Sequence, residues 1–291
     1  GDNKIHKILK RFSSEIFMKF VLTGHKGLIG SFLLERLKQL GHETILLIDA
    51  RDGENIIDID KIKLKEKPDV FIHLAAFCKI NKTIENPDLA FENNVLGPYK
   101  IFEFCRKNKI SKIIFASSSR ILKEEKNPYT ASKIYGEELC KAYKQCYGID
   151  YIIIRPSTVY GPFDDKTGRL VDIFIRNAMQ GKELKIYGDE NKTLDFTYID
   201  DFVEGFVLAM NQKNKDFDIG SGKETKVKYL ADLIIKHVRK GEKIFLEKEI
   251  AQPQQVEIDL DKMRELGFKP KVSVEEGIKR TIEWYKNNVK I

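Results

Sequence analysis

The 291-residue sequence lacks several features that would place it in a specialised class of protein. No apolar run approaches the ~18 residues of a membrane-spanning helix, so no membrane-spanning segment is predicted, and no membrane partner is expected. The four cysteines show no CxxC spacing, which indicates reduced thiols in a cytoplasmic protein and gives no reason to expect a disulfide framework or a metal site. The net charge of +7 is spread along the chain, so no nucleic acid partner is expected.

From residue 18 onwards the sequence contains short apolar runs that alternate with longer amphipathic segments. Strands are predicted over 20–22, 44–48, 70–74, 112–116 and 151–154, and helices over 28–40, 90–108 and 132–147. Apolar strands separated by helices are typical of an α/β fold with a doubly wound parallel sheet, which is Rossmann-like. After residue 161 the rhythm changes, with helices predicted over 170–180, 202–210 and 274–287 and strands over 184–187 and 196–199.

This change of rhythm predicts how the chain is divided. Residues 1–17 form an N-terminal extension whose spacing is compatible with a short basic amphipathic helix. Residues 18–160 form the Rossmann-like domain, to which 194–215 return. The smaller, interleaved C-terminal substrate lobe comprises 161–193 and 216–291.

A glycine-rich segment, TGHKGLIG at 23–30, connects the first predicted strand to the first helix. Its glycines Gly24, Gly27 and Gly30 permit a tight turn and a close approach to a pyrophosphate, which the helix N-terminus can bind. The second strand ends at Asp49, about 20 residues further on, where a carboxylate binds the adenosine ribose hydroxyls. A 2′-phosphate would be repelled there, so the sequence predicts NAD over NADP, with the neighbouring Arg51 as the residue that opposes this choice.

Two polar clusters follow later in the Rossmann-like domain. Tyr129 and Lys133 are four residues apart at the start of a helix and therefore lie on one face, where the ammonium favours the phenolate and can also hold the nicotinamide ribose. The serines at 117–119 close the fourth strand, so their hydroxyls emerge at the carboxyl edge of the sheet, where such folds bind ligands.

Further motifs accompany these in a fixed order: Asp58-Ile59, HLAA at 73–76, NNVLG at 93–97, RPSTVYGP at 155–162, IYGD at 186–189 and DFTYIDD at 195–201. Together with the segments above, they make residues 18–291 resemble the extended short-chain dehydrogenase/reductases, specifically the NAD-dependent sugar epimerase/dehydratase group. The resemblance implies that Ser118, with Ser119 as the alternative, binds the hydroxyl being oxidised. Tyr129 then takes its proton, Lys133 supports Tyr129, and hydride passes to NAD.

The resemblance also implies which residues bind each ligand. The cofactor residues are Gly24, Lys26, Gly27, Leu28, Ile29, Gly30, Asp49, Arg51, Asp58, Ile59, Leu74, Ala75, Ala76, Asn93, Tyr129, Lys133 and Pro156. The residues implied to contact the sugar or nucleotide-sugar substrate are Cys78, Ser119, Arg120, Thr158 and Lys192. A homodimer through the helices at 90–108 and 132–147 is implied as well.

The sequence departs from the group at several positions. Ser119 and Arg120 stand where dehydrating members have carboxylates, which speaks against a dehydratase and favours an epimerase. Leu194 and Gln252 replace the usual diphosphate-binding arginines, which leaves a net dehydrogenase or reductase as the alternative. A non-catalytic dinucleotide sensor is less well supported, because it would not need the serine, tyrosine and lysine.

Arg120 itself permits two interpretations. A guanidinium beside the reacting carbon needs an anionic partner, so the substrate is expected to carry a carboxylate or phosphate there. Alternatively, Arg120 turns outward to Glu124 or Glu125.

Overall fold

The computed structural model describes residues 17–290. The predicted N-terminal helix therefore falls outside the described residues. Eleven strands and ten helices occur in the described part of the chain. The strands are β1 Lys19–Thr23, β2 Glu43–Ile48, β3 Val70–His73, β4 Lys112–Ala116, β5 Asp150–Pro156, β6 Thr158–Tyr160, β7 Glu183–Tyr187, β8 Thr193–Tyr198, β9 Lys215–Ile219, β10 Glu224–Lys226 and β11 Glu242–Leu246. The helices are α1 Leu28–Gln39, α2 Ile80–Glu85, α3 Pro87–Phe91, α4 Gly97–Lys107, α5 Pro128–Tyr147, α6 Leu170–Met179, α7 Ile199–Met210, α8 Val227–Val238, α9 Asp261–Glu265 and α10 Val274–Asn288.

Six parallel strands form the central sheet in the order β2-β1-β3-β4-β5-β9. Successive side chains of a strand point to opposite faces, and β1 shows the consequence. Phe20 and Leu22 enter one apolar core, whereas Val21 enters a second core on the other face. The doubly wound parallel sheet predicted from the sequence is confirmed.

The chain reverses direction across the sheet at β1, because β2 pairs with one edge of β1 and β3 with the other. Ligands of doubly wound sheets bind at the carboxyl ends of the strands beside such a switch point. The loops that follow β1 and β3 therefore delimit the first part of the site.

The remaining strands form two small sheets, β10-β8-β6 and β11-β7. Their apolar residues are not a separate core. Phe174 of α6, Leu184 of β7 and Ile278 of α10 belong to the same buried cluster as Phe20 and Leu22 of the central sheet. The two parts of the chain thus share one continuous core.

One predicted helix and one predicted domain boundary differ from the structure. The helix predicted over 90–108 comprises α3, a π-helical segment at Glu92–Leu96 and α4. Pro98 has no N–H to donate to the carbonyl of residue 94, which interrupts the regular hydrogen-bond pattern there. Strand β9 pairs with β5 and so carries the central sheet beyond the predicted boundary at residue 215. The division into two lobes otherwise stays a prediction.

Candidate active site

The loop after β1 is closed by backbone contacts. Gly24 has a φ of 77°, and its N–H donates to the carbonyl of Ile48 at 2.8 Å. Gly30 packs directly against the backbone of Gly24, so that a Cβ at residue 30 would lie 2.0 Å from the Gly24 carbonyl oxygen. Helix α1 then begins after Gly27, which has no side chain to cap it. The first N–H groups of α1 are therefore left free for a ligand.

Asp49 follows β2 and is buried beside this loop. Its carboxylate accepts hydrogen bonds from the backbone N–H groups of Lys26, at 2.9 Å, and Arg51, at 3.0 Å. The Arg51 guanidinium lies 3.4 Å from the same carboxylate but is 45% exposed. The acid is thus fixed at the end of β2, next to the glycine loop, as the spacing predicts.

The loop after β3 is hydrogen-bonded to Thr23, the residue that precedes the glycine loop. Thr23 Oγ1 accepts hydrogen bonds from the N–H groups of Leu74 and Ala75, so its own proton is available to His73 Nδ1, 2.7 Å away. Burial lowers the pKa of His73 to about 3, with the Lys133 ammonium acting in the same direction. His73 is consequently neutral at working pH and serves as a hydrogen-bonding partner within the fold.

Asn94, in the π-helical segment, holds the next part of the same loop. Its side chain accepts from the Phe77 N–H at 2.8 Å and donates to the Phe77 carbonyl at 2.9 Å. The sequence analysis selected its neighbour Asn93, whose side chain instead bonds to Leu89 of its own helix. The signal for Asn94 was the adjacent asparagine of the NNVLG motif, but which of the two faces inward depends on the π-helical turn.

Ser118, Tyr129 and Lys133 converge at the carboxyl end of β4. The capping box of Asn127 and Thr130, with Pro128 in the first turn, starts α5 four residues earlier than predicted and places Tyr129 in its first turn. Ser118 lies close enough to Tyr129 to lower the pKa of its phenol, and its Oγ accepts a hydrogen bond from the Arg120 N–H at 3.2 Å. Lys133 Nζ lies 5.7 Å from the centre of the Tyr129 ring and donates to the Ala116 carbonyl at 2.7 Å.

The protonation states of this cluster follow from burial and from nearby charges. Burial raises the pKa of Tyr129 to about 12, while Ser118, Arg120 and Arg169 act in the opposite direction. Burial also lowers the pKa of Lys133 to about 8. Tyr129 is therefore a phenol before ligands bind, and each added positive charge beside it makes proton removal easier.

A cavity of about 500 Å³ joins the glycine loop to this cluster. Many of the predicted residues line it: Gly24, Gly27, Leu28, Ile29, Gly30, Leu74, Ala76, Cys78, Ser118, Arg120, Tyr129, Lys133, Pro156, Thr158 and Lys192. Others lie outside its wall: Lys26, Asp49, Arg51, Asp58, Ile59, Ala75, Asn93 and Ser119. Ser118 lines the cavity together with Tyr129 whereas Ser119 does not, so the geometry favours Ser118 over its alternative.

Residues outside the wall have other partners. Asp58 is exposed and pairs with Lys61 at 2.6 Å, and Ile59 is fully buried in the core. The Lys26 ammonium pairs with Asp52. Their contacts with a cofactor stay predictions. Several lining residues were not predicted from the sequence, among them Lys79, Asn81, Arg169 and Glu249.

Arg120 does not turn outward. Its side chain lines the cavity, and no carboxylate within residues 17–290 lies within 4 Å of its guanidinium, so the predicted alternative partners Glu124 and Glu125 are not used. Burial lowers the pKa of Arg120, and Tyr129 and Glu249 act in the opposite direction. The guanidinium therefore stands partly dehydrated beside the tyrosine.

Comparison with known proteins now adds to this geometry. The family model described as the NAD dependent epimerase/dehydratase family matches residues 20–220. The chain belongs to this family. A Methanocaldococcus jannaschii protein that carries a provisional UDP-glucose 4-epimerase name is 36% identical to it, covering 92% of this chain and 98% of its own. The UDP-glucose 4-epimerase of Mycolicibacterium smegmatis is 29% identical to this chain, and the match covers 93% of this chain and 99% of the relative.

Two solved structures of family members share the fold over nearly the whole chain. Thermotoga maritima UDP-glucose 4-epimerase with UDP-glucose has a TM-score of 0.85 at 26% identity and covers 94% of this chain and 100% of its own. Bacillus cereus UDP-glucuronic acid 4-epimerase, in complex with UDP-glucuronic acid and NAD, has a TM-score of 0.83 at 26% identity and covers 93% and 99%. The family assignment and the cofactor NAD are thereby confirmed, and the epimerase prediction is supported over its alternatives.

The described residues fit NAD. The uncapped N–H groups of α1 open onto the cavity at Leu28, Ile29 and Gly30, where phosphate oxygens can accept them. Gly27 also lines the cavity, and a Cβ there would make ordinary contacts with the Gly24 carbonyl oxygen at 3.5 Å and the Arg51 guanidinium at 3.9 Å. The buried hydroxyl of Ser117 also lines the cavity and has no hydrogen-bond partner among the described residues.

Across residues 17–290, no helix is both long and apolar enough to cross a membrane.

Proposed function

We propose that this protein is a UDP-sugar 4-epimerase that inverts a carbinol carbon of the sugar without net consumption of NAD. The observation that carries the proposal is the convergence of Ser118, Tyr129 and Lys133 on the cavity that begins at the glycine loop. Several relatives are named UDP-glucose or UDP-glucuronate 4-epimerases, and these names support a UDP-sugar substrate and reaction at C4.

The chemistry follows from the positions of these three side chains. NAD, when bound, would supply the hydride acceptor for oxidation of the carbinol carbon and the hydride donor for its reduction. Ser118 holds the C4 oxygen through its hydroxyl, and Tyr129 takes the C4 hydroxyl proton and gives it back after the sugar has turned. Lys133 stabilises the phenolate through its charge and holds the nicotinamide ribose. Returning hydride to the opposite face of the 4-keto sugar yields the epimer.

The charges of the cavity wall agree with epimerisation rather than water elimination. Elimination needs an additional acid and base near C5 and C6. Among the described residues that line the cavity, Glu249 is the one carboxylate, and it contacts the side-chain amide of Asn81. Ser119 and Arg120 supply no carboxylate after Ser118.

The proposed cofactor and substrate contacts divide the cavity. The glycine loop, Leu74, Ala76 and Pro156 surround the NAD half, with Asp49 assigned to the adenosine ribose. Cys78, Arg120, Thr158 and Lys192 surround the sugar half. Lys192, whose ammonium donates to the Tyr187 carbonyl at 2.7 Å, lies beside Leu194 and takes over part of the diphosphate binding.

A homodimer and a cytoplasmic location are also part of the proposal. Large apolar side chains are exposed on α3, α4 and α5, namely Leu89, Phe91, Tyr99, Ile134 and Tyr147, with Phe91 59% exposed. Such a patch favours pairing with a second copy. Replacing Phe91 and Ile134 by glutamate should convert the dimer to a monomer in light scattering. A wild-type monomer would contradict this part. The four free cysteines agree with a reducing compartment.

The activity is tested by incubating the purified protein with UDP-glucose or UDP-glucuronate and separating the products by chromatography. The C4 epimer should form while absorbance of reduced nicotinamide at about 340 nm stays flat. Stoichiometric accumulation of reduced nicotinamide would identify a dehydrogenase instead. Tyr129→Phe serves as the matched inactive control.

A further inference from the structure

Arg120 lines the cavity, where Glu249 acts on it electrostatically. Its own backbone N–H donates to Ser118 Oγ at 3.2 Å, so the residue is tied directly to the proposed C4 contact. Within the described chain, residues 17–290, its guanidinium makes no ion pair. A partly dehydrated guanidinium is costly unless a ligand supplies the missing acceptor, and its planar fork matches a carboxylate in two parallel hydrogen bonds.

The diphosphate of the substrate is not the natural partner of Arg120. In a UDP-sugar the diphosphate is attached to C1, across the pyranose ring from C4. Arg120 lies at the C4 end, because its backbone is bonded to Ser118 Oγ, the proposed C4 contact, and its side chain lines the cavity beside Tyr129. The group within its reach is therefore a substituent on C3 or C5, the two carbons next to C4. Of these, the C6 group on C5 is the one that can be a carboxylate.

The balance of charge in the cavity points the same way. The cations that line it are Lys79, Arg120, Lys133, Arg169, Lys185 and Lys192, against the single acid Glu249. Arg169 is compensated by Asp165 at 3.4 Å, and Lys133 is assigned to the cofactor and Tyr129. Lys79, Arg120, Lys185 and Lys192 remain against Glu249, a net charge of +3, which exceeds the two negative charges of the substrate diphosphate by one.

We propose that the sugar carries a carboxylate at C6, so that the preferred substrate is a UDP-uronic acid, and that Arg120 is the residue that selects it. This inference rests on the proposed epimerase function and specifies its substrate class. Arg120 binds the carboxylate in a bidentate manner while Ser118 and Tyr129 hold the C4 oxygen.

The test compares UDP-glucuronate with UDP-glucose, which differ only in the C6 group. The wild-type enzyme should favour UDP-glucuronate at least tenfold in kcat/KM. Arg120→Gln should lower the ratio of the two kcat/KM values by about 10- to 100-fold, as expected for the loss of charge-assisted hydrogen bonds. Arg120→Lys keeps the charge but loses the planar guanidinium, so its ratio of kcat/KM values should lie between those of the wild type and Arg120→Gln.

A matched control removes a cation from the same loop outside the cavity. Lys126 is exposed, and its ammonium contacts the Lys123 carbonyl. Lys126→Gln should therefore leave the substrate ratio unchanged. Equilibrium binding of both nucleotides to Tyr129→Phe holoenzyme measures recognition without turnover, and adding Arg120→Gln to that variant should weaken UDP-glucuronate binding selectively.

The outcomes separate the inference from the function on which it rests. Epimerisation of UDP-glucose and UDP-glucuronate with equal efficiency, unchanged by Arg120→Gln, would overturn the role of Arg120 and leave the epimerase in place. Preference for glucose 6-phosphate over UDP-glucuronate would show that the anion is a phosphate, which also overturns the inference. No epimerisation of any of these sugars would refute the proposed function itself.

Discussion

Replacing two glycines of the loop after β1 by alanine should have different effects: Gly30→Ala should lower stability, and Gly27→Ala should weaken NAD binding. At Gly30 a methyl group would lie 2.0 Å from the Gly24 carbonyl oxygen and 2.8 Å from the His25 Cα. Both are backbone atoms, which cannot rotate away as a side chain can. At Gly27 the nearest atom would be 3.5 Å away, and its φ of −79° and ψ of 173° suit alanine.

The magnitudes follow from these distances. Overpacking typically costs about 1–3 kcal/mol, and a clash with rigid backbone belongs at the upper end, so Gly30→Ala should lower the free energy of unfolding by about 3 kcal/mol. This corresponds to a fall in Tm of roughly 6–12 °C. Gly27→Ala should cost under about 1 kcal/mol, because only the N-cap residue of α1 changes. Its methyl group would occupy the space assigned to the pyrophosphate, and NAD should bind at least tenfold more weakly, about 1.4 kcal/mol.

Thermal unfolding followed by circular dichroism, with and without NAD, distinguishes the two effects. At an NAD concentration of about 100 times the wild-type Kd, binding stabilises the wild type by about 2.7 kcal/mol. Gly27→Ala should gain only about half of that at the same concentration. A Gly30→Ala protein with wild-type Tm would refute the close packing of the loop. Undiminished NAD affinity in Gly27→Ala would refute the placement of the pyrophosphate.

Three further predictions concern the buried polar residues. NAD should bind at least tenfold more tightly than NADP because Asp49 repels the 2′-phosphate; equal Kd values in paired titrations would contradict this. Tyr129→Phe should lower kcat by about 10²–10⁴ while NAD affinity stays nearly constant, whereas Lys133→Met should reduce both; wild-type turnover without the phenol would exclude the mechanism. His73, with a pKa of about 3 when folded and about 6.5 when unfolded, should make unfolding easier as pH falls between those values, by up to about 1.4 kcal/mol per pH unit. Denaturant titrations should show a shallower acid slope for His73→Gln, and an identical slope would contradict the assignment.

The first half of the fold is encoded by local patterns. Apolar strands, the glycine loop and the acid after β2 occur within about 30 consecutive residues, so turn chemistry and spacing are enough to predict them. The fourth strand and the Tyr129 helix are similarly local. For this reason the positions of Asp49, Ser118, Tyr129 and Lys133 relative to the sheet could be predicted.

Strand β9 could not be predicted in the same way. Its sequence, KDFDI, places acids between its apolar residues, which argues against a buried strand. The structure shows that Asp216 and Asp218 face Arg155, at 2.8 and 3.4 Å, while Phe217 and Ile219 enter the core. These partners are about 60 residues apart in the chain, so only the folded sheet brings them together.

Side-chain direction was the other unpredictable element. Whether Arg120 faces the cavity or Glu124 depends on the short 3₁₀ turn at Ser119–Leu122, which begins when Ser118 accepts the Arg120 N–H. Whether Asn93 or Asn94 faces the loop depends on a π-helical turn. Neither turn leaves a periodic signal in the sequence.

The central claim is that hydride leaves C4 of a UDP-sugar and returns to the same carbon from the other side. Incubation of UDP-glucuronate or UDP-glucose deuterated at C4, followed by mass spectrometry and NMR of the separated epimers, tests it most directly. The account predicts that the deuterium is retained at C4 of the product and that none is lost to water. Loss of the label to solvent, or inversion at a carbon other than C4, would contradict it.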